Sequence, residues 1–185
     1  MKLTSEESIF CQALATTSLL RELSDNNFLK SSYYNEKCFK GNSVNNTNLK
    51  KILEVSGLGN PATMQMFLYI LLVMPKEILE NNDSFLNKLR TEINQDFQHY
   101  ICSINTTYRG ESNDDLNSID FYKHTRNAVS HSKCFYEVTD NVSYVTFKDT
   151  NFKDKSQHCE FMLKTADVGT ILTKLQIKMM IFLNK

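Results

Sequence analysis

Glycine is scarce in this sequence, five among 185 residues, and there is no Gly-rich phosphate loop, no GxSxG and no HExxH. A dinucleotide-binding fold therefore lacks the glycines from which its tight pyrophosphate turn is built, and the common hydrolase signatures are missing. Net charge is lacking as well, since 21 Lys plus Arg balance 21 Asp plus Glu. No global field draws the protein to nucleic acid or to a membrane, so any basic surface has to be local. The cysteines, Cys11, Cys38, Cys102, Cys134 and Cys159, are odd in number and form no CxxC pair, which argues against a disulfide framework and for a reducing compartment. MKLTSEESIF carries no apolar signal segment, and the longest apolar run, 66–74, stops at Pro75, far short of the roughly 20 residues a membrane span needs. A soluble, cytoplasmic protein is expected, with no membrane partner.

What is present is helical periodicity. Thr4 and Glu7 make a capping box, and Ile9, Ala13, Leu20 and Leu23 follow at helical spacing, predicting a helix over 5–24. The polar, Asn-rich stretch 38–48 reads as a loop, and a short helix over 49–55 ends at Gly57. Asn60-Pro61 is a helix start, an N-cap followed by Pro at the first helical position, opening an apolar run to Met74 that belongs at the centre of the fold. Asp83 or Ser84 caps the clearest amphipathic helix, with Leu86, Leu89, Ile93, Phe97, Tyr100 and Ile104 on one stripe that faces either the core or a second copy. Asp114 and Asp115 cap a further helix through Leu116, Ile119, Tyr122 and Val129.

Beyond His131 the period changes from helical to alternating. FYEV, the Asp140-Asn141 turn and SYVTF read as a β-hairpin, with CEFML as a third strand. A last helix follows, with Val168, Ile171, Leu175, Met179 and Phe182 on one face. About five helices with a small β-meander before the last are expected, and no repeat or linker divides the chain.

The stretch HTRNAVSHSKCFYEV, residues 124–138, holds the one constellation with chemical potential. At about 100° per residue, Ile119, Tyr122 and Val129 project within roughly 60° of Arg126, which sets a guanidinium in the apolar stripe of its own helix. Either an acid meets it there, or it lines a site that receives an anion. Asn127 and His131 are one turn apart, close enough for the amide to orient the imidazole. His131 falls at the helix end, where the C-terminal dipole attracts a cation. In one straight helix Arg126 and His131 diverge by about 140°, so a bent helix end or a second chain is needed to aim both at one phosphate. His124, about 160° from Arg126 around the helix, is not expected to be the base and is read as solvated surface. On spacing alone, an Arg capping carbonyls near a helix end remains an open alternative.

Arg126-Asn127-Ala128-Val129-Ser130-His131 resembles the R-polar-xxx-H motif of HEPN domains. The order of helices, motif, β-meander and terminal helix is similar to a branch of that superfamily associated with plasmid and phage defence. The resemblance implies a mainly α, HEPN-like helical bundle and one domain over 1–185, with the β-meander at about 134–164 and the C-terminal helix at about 167–183. It further implies a homodimer whose facing motif helices build a metal-independent endoribonuclease site, with no cofactor. Arg126, Asn127 and His131 would be the catalytic set. His131 would transfer the proton when the 2′-hydroxyl attacks phosphorus, Arg126 would stabilise the phosphorane, and Asn127 would position a phosphate or the imidazole. Lys123 and Lys133, with His124 nearby, would add local potential for the RNA backbone, against the plainer reading of all three as solvated surface. By analogy with the branch, the protein would be a toxin or an antiviral effector, restrained by an antitoxin or regulatory partner.

Two other readings compete. His131, Cys134, His158 and Cys159 supply four zinc-type ligands, but adjacent His158 and Cys159 point to opposite sides of an extended segment, and Cys134 and Cys159 read better as β-core residues. The alternative within the same fold is a non-catalytic, dimerising RNA- or nucleotide-binding sensor or scaffold.

Overall fold

The computed structural model describes residues 5–40, 44–78 and 83–183. Helix α1 (Ser5–Asp25) matches the first expected helix; its capping box, Thr4 with Glu7, lies outside the described side chains. Helix α2 (Ser32–Lys37) is capped by Ser31, whose hydroxyl accepts from the Tyr34 N–H. Helix α3 (Val44–Ser56) starts well before residue 49, inside the stretch expected to be loop. Asn costs a helix only about 0.5 kcal/mol per residue, so a helix nucleated at Leu49–Val55 propagates back through Asn45, Asn46 and Asn48 at little expense. It stops at Gly57, whose φ is +74°.

Helix α4 (Pro61–Leu68) opens as its sequence predicts, with Asn60 Oδ1 accepting from the Thr63 N–H. The apolar run does not end at Pro75. It passes through a π-helical segment (Tyr69–Val73) into α5 (Met74–Ile78), and the Met74 N–H reaches back to the Tyr69 carbonyl. The wider turn relieves the pressure that the Pro75 ring would put on the carbonyl one turn earlier. Leu68, Leu71 and Leu72 are almost fully buried, so this rod is central. No single helix among the described residues is long and apolar enough to cross a membrane.

Helix α6 (Asp83–Tyr100) turns Leu89, Ile93 and Phe97 into the core, which commits that stripe to this chain and not to a second copy. It stops before Ile104, which lies instead in β1 (Ser103–Thr106), a strand not anticipated from the sequence. The helix expected from Asp114 is also two pieces. Asp115 caps a short 3-10 turn, Leu116–Ser118, and α7 (Phe121–Ser130) begins afresh with Asp120 as its cap.

Strands β2 (Cys134–Thr139), β3 (Val142–Thr150) and β4 (His158–Lys164) form the expected meander, and α8 (Thr165–Leu183) closes the chain. Asp140 and Asn141 have φ of 51° and 61°, the pair of left-handed residues that a two-residue hairpin turn requires. The sheet order is β1-β4-β3-β2, antiparallel throughout. The fold is mainly helical with a small four-stranded antiparallel sheet. One sheet face carries Val145, Phe147, Cys159, Phe161 and Leu163, all buried. Phe161 meets Phe97 and Phe121 edge-on at 5.9 and 5.2 Å and stacks on Phe147 at 5.2 Å. Each such ring contributes on the order of 2–3 kcal/mol by burial. Helix α7 is wedged between β3 and the π-helical rod and also packs on α6. It is therefore buried on two faces, not along one stripe, and the site follows from this.

Candidate functional site

Both ends of α7 are pinned by side chains from other helices. At the N-terminus Asp120 accepts from the Lys123 N–H at 3.3 Å, while Arg90 of α6 grips both its carboxylate oxygens at 3.2 and 2.5 Å. Asn94 adds a donor to Asp120 at 3.3 Å and accepts the Tyr122 N–H at 2.7 Å. Burial alone would raise the Asp120 carboxyl, but the hydrogen bonds and charge of Arg90, with Asn94 and the Lys123 N–H, hold it below the usual carboxylate range. At the C-terminus Gln65 of α4 donates to the Val129 carbonyl at 3.2 Å and accepts from the Tyr136 hydroxyl at 3.3 Å.

The helix ends in a Schellman turn. The Lys133 N–H bonds the Ala128 carbonyl at 2.7 Å, the Ser132 N–H bonds Val129 at 3.2 Å, and Ser132 takes the left-handed conformation at φ 54°. His131 is the last residue before that turn, with its ring exposed. Lys133 is exposed just beyond it. Arg126 is half-buried, and among the described residues no carboxylate lies within ion-pair distance; its Nη2 donates only to Asn127 Oδ1, at 3.4 Å. The side chains of Arg126 and His131 make no hydrogen bond to each other, and Asn127 does not hold the His131 ring.

Asn127 instead looks inward. Its Nδ2 donates to Asp149 Oδ2 at 3.0 Å, and the same oxygen accepts from the Tyr108 hydroxyl at 3.1 Å and from His124 Nδ1 at 2.7 Å. His124 Nε2 meets Glu111 Oε1 at 2.8 Å, and the Thr106 hydroxyl donates to the other Glu111 oxygen at 2.7 Å. His124 is fully buried, which corrects its reading as solvated surface. Its two ring nitrogens each lie within hydrogen-bond distance of a carboxylate, Nδ1 at Asp149 and Nε2 at Glu111, so the ring bridges the two acids within the core. Burial would raise the Asp149 carboxyl, yet the hydrogen bonds from His124 and Asn127, the His124 charge and Tyr108 keep it low. Tyr108 is driven the other way, by burial first and then by Asp149. Lys123, half-buried, lays its ammonium 4.6 Å from the Tyr108 ring centre.

The signal for this network was present in the sequence but split across three segments. In SYVTFKDT, alternation carries the inward positions from Val145 and Phe147 to Asp149, so the aspartate had to point at the core. The cross-strand register then sets Cys159 beside Asp149 and Thr106 beside Cys159, forming a polar row where the aromatic core ends. Glu111 sits on the loop before α7, and nothing in its own surroundings marks it.

Among the described residues one group has metal-binding donor types within 4.8 Å of one another: Glu111, His124 and Cys159. Its donors are taken. The His124 ring and Glu111 satisfy each other, and burial pushes the Cys159 thiol up to about 12, so it stays protonated. The set weighed from sequence is not assembled: Cys159 faces the core, His158 hydrogen-bonds Thr107 at 3.1 Å, and Cys134 lies on β2 with β3 between.

A central helix ending in an exposed His, with a half-buried Arg that has no carboxylate partner among the described residues and a half-buried Asn behind it, is the frame on which the likeness to known proteins can be judged. The family model described as HEPN pEK499 p136 matches residues 1–181. The chain belongs to this HEPN family. No curated protein and no solved structure matches the chain itself. HEPN membership supports an RNase-type or nucleotide-binding role, and in this HEPN chain the segment 126–131 runs from half-buried Arg126 and Asn127 through buried Ala128 and Val129 to exposed Ser130 and His131 at the end of α7.

Proposed function

We propose that this HEPN protein is a metal-independent endoribonuclease that acts in the cytoplasm as a homodimer, as a toxin or antiviral effector restrained by an antitoxin or other regulatory partner. The observation that carries the reading is Arg126: half-buried, permanently charged, and without a carboxylate partner among the described residues. Leaving such a group partly desolvated and unpaired is costly unless an anion occupies the place. A phosphorane carries more charge than the ground-state phosphate, so a guanidinium fork favours the transition state over the substrate. His131 is exposed at the helix end, free to exchange a proton with the 2′-hydroxyl or the 5′-oxygen. Asn127 supports Arg126 through its carbonyl oxygen, and Lys123 and Lys133 supply phosphate contacts.

The test is cleavage of RNA by purified protein in EDTA. Arg126→Ala and His131→Ala should each abolish it, and Cys134→Ser should retain it. One fragment should carry a 2′,3′-cyclic phosphate and the other a 5′-hydroxyl, because the nucleophile is the RNA's own 2′-oxygen. Products with 5′-phosphates, or cutting of a strand 2′-O-methylated at the scissile position, would refute the mechanism.

A further inference from the structure

We propose that the cleft between α5, α6 and α7 is the track along which a single-stranded RNA backbone lies beside Arg126, with Lys76 and Arg90 as phosphate-binding residues alongside Lys123. The identity of the polymer rests on the ribonuclease reading; the cleft itself rests on its own geometry.

The cleft holds about 310 Å³ and is lined by Lys76, Asn87, Arg90, Asp120, Lys123 and Arg126, among others. Four cationic side chains from three helices thus face one carboxylate, in a chain whose net charge is zero overall. That carboxylate is not available to neutralise them all, because Asp120 is spent on capping α7 and on the bidentate bond to Arg90. The bond also fixes the Arg90 guanidinium, and among the described residues its remaining N–H groups have no protein acceptor. Lys76 stands exposed on α5 and makes no ion pair among the described residues. Lys123, which also lines the cleft, rests its ammonium over the Tyr108 ring.

A concave lining focuses the field of these charges on whatever enters, and Arg126 belongs to the same lining. The chemistry of the walls selects backbone over base. Tyr122, the aromatic residue of the cleft, is 6% exposed and offers no face for stacking, so bases have nothing to rest on there. The volume suits a short stretch of one strand, whereas a duplex is too wide to descend to Arg126. Binding should therefore be strongly salt-dependent and nearly indifferent to sequence.

The experiment measures binding of a short fluorescein-labelled 2′-O-methyl oligo(U) by anisotropy across a salt series, with wild-type protein, Lys76→Ala, the Lys76→Ala/Lys123→Ala pair and Lys155→Ala. Lys155 is exposed on the β3–β4 loop and does not line the cleft. The probe cannot present a 2′-hydroxyl, so the measurement does not depend on catalysis. Lys76→Ala should weaken binding roughly three- to ten-fold and lower the log Kd against log salt slope by about 0.7, the pair by about twice that, and Lys155→Ala by neither. A Lys76→Ala protein with wild-type affinity and slope overturns the proposal, as does an acidic peptide that binds as tightly as the oligonucleotide and displaces it. Cleavage assays run in parallel separate the two claims. Cleft-dependent binding without cleavage keeps the track and removes the nuclease, while cleavage with an unchanged KM in Lys76→Ala removes the track and keeps the nuclease.

Discussion

His124 shows how one residue can set the behaviour of its neighbours without meeting solvent. Two carboxylates, from a loop and from a strand, are brought together in the core with the imidazole as the hydrogen-bond bridge between them. Asp149 in turn orients the Asn127 amide, which leaves the Asn127 carbonyl oxygen outward for Arg126. Removing the ring therefore leaves Glu111 and Asp149 facing each other without a shared donor. His124→Ala should lose about 3–5 kcal/mol of stability in urea denaturation, the range for breaking a buried pair by deleting one member. A variant within about 1 kcal/mol of wild type would show that the bridge through the imidazole does not carry the stability of this network. The aspartates also fix the sign of the acid response. Asp120 and Asp149 both have folded values lowered from 3.8, so their contribution is complete above the unfolded value and is lost as pH falls through the folded ones. The urea midpoint should drop below about pH 4. Asp120→Asn should begin from a lower midpoint and fall less steeply, and an identical slope would remove Asp120 from the account.

At the scale of elements, the legible parts were those whose signal is local. The Asn60-Pro61 start, the Asp140-Asn141 turn and the five-position face of α8 each announce themselves within a few residues. The π-helical passage at Pro75 was not legible, because a proline in an apolar run stops a helix in most settings and only tertiary packing shows the wider turn. Strand β1 was hidden by its length: four residues next to a helix continue that helix's pattern as easily as they start another. For the site, Arg126, Asn127 and His131 could be picked out because they lie in six consecutive residues, whereas Glu111, His124 and Asp149 become neighbours only after the sheet forms. A single apolar stripe was assumed for α7, and its second buried face against β3 is what made His124 internal. The C-terminal turn of α7 carries a prediction of its own. Ser132 occupies the left-handed position of the Schellman turn, where glycine carries no Cβ penalty. Ser132→Gly should raise stability by about 0.5–1 kcal/mol in a thermal melt. An unchanged or lower midpoint would mean that the serine is fixed by contacts the backbone argument omits.

For the whole molecule the question is how Arg126 and His131 come to act together. They leave the same helix in different directions, one half-buried beside the basic cleft and the other exposed at the helix end, with no hydrogen bond between them. Tyr122, on the apolar stripe of α7, is buried in its own chain and donates to the Leu72 carbonyl at 3.4 Å, so this stripe is not free for a second copy. If the chain pairs as proposed, the apolar surface open to a mate lies nearer the exposed end of α7, beside Met66 and Tyr69, which are 37% and 48% exposed on the neighbouring rod. If each site takes Arg126 from one chain and His131 from its two-fold mate, two inactive variants can complement each other. A dimer of one Arg126→Ala chain and one His131→Ala chain rebuilds one complete pair out of two. With random exchange, half the dimers are mixed, so the mixture should recover at most about a quarter of wild-type activity. A site built within one chain predicts none, because no chain in the mixture then holds both groups. Light scattering establishes that the variants still associate, co-purification through two different tags isolates the mixed dimer, and the isolated species should cut at about half the wild-type rate. Mixed dimers that form in full yet stay inactive would overturn the shared site, and a wild-type protein that cuts RNA as a monomer would do so without any mixing at all.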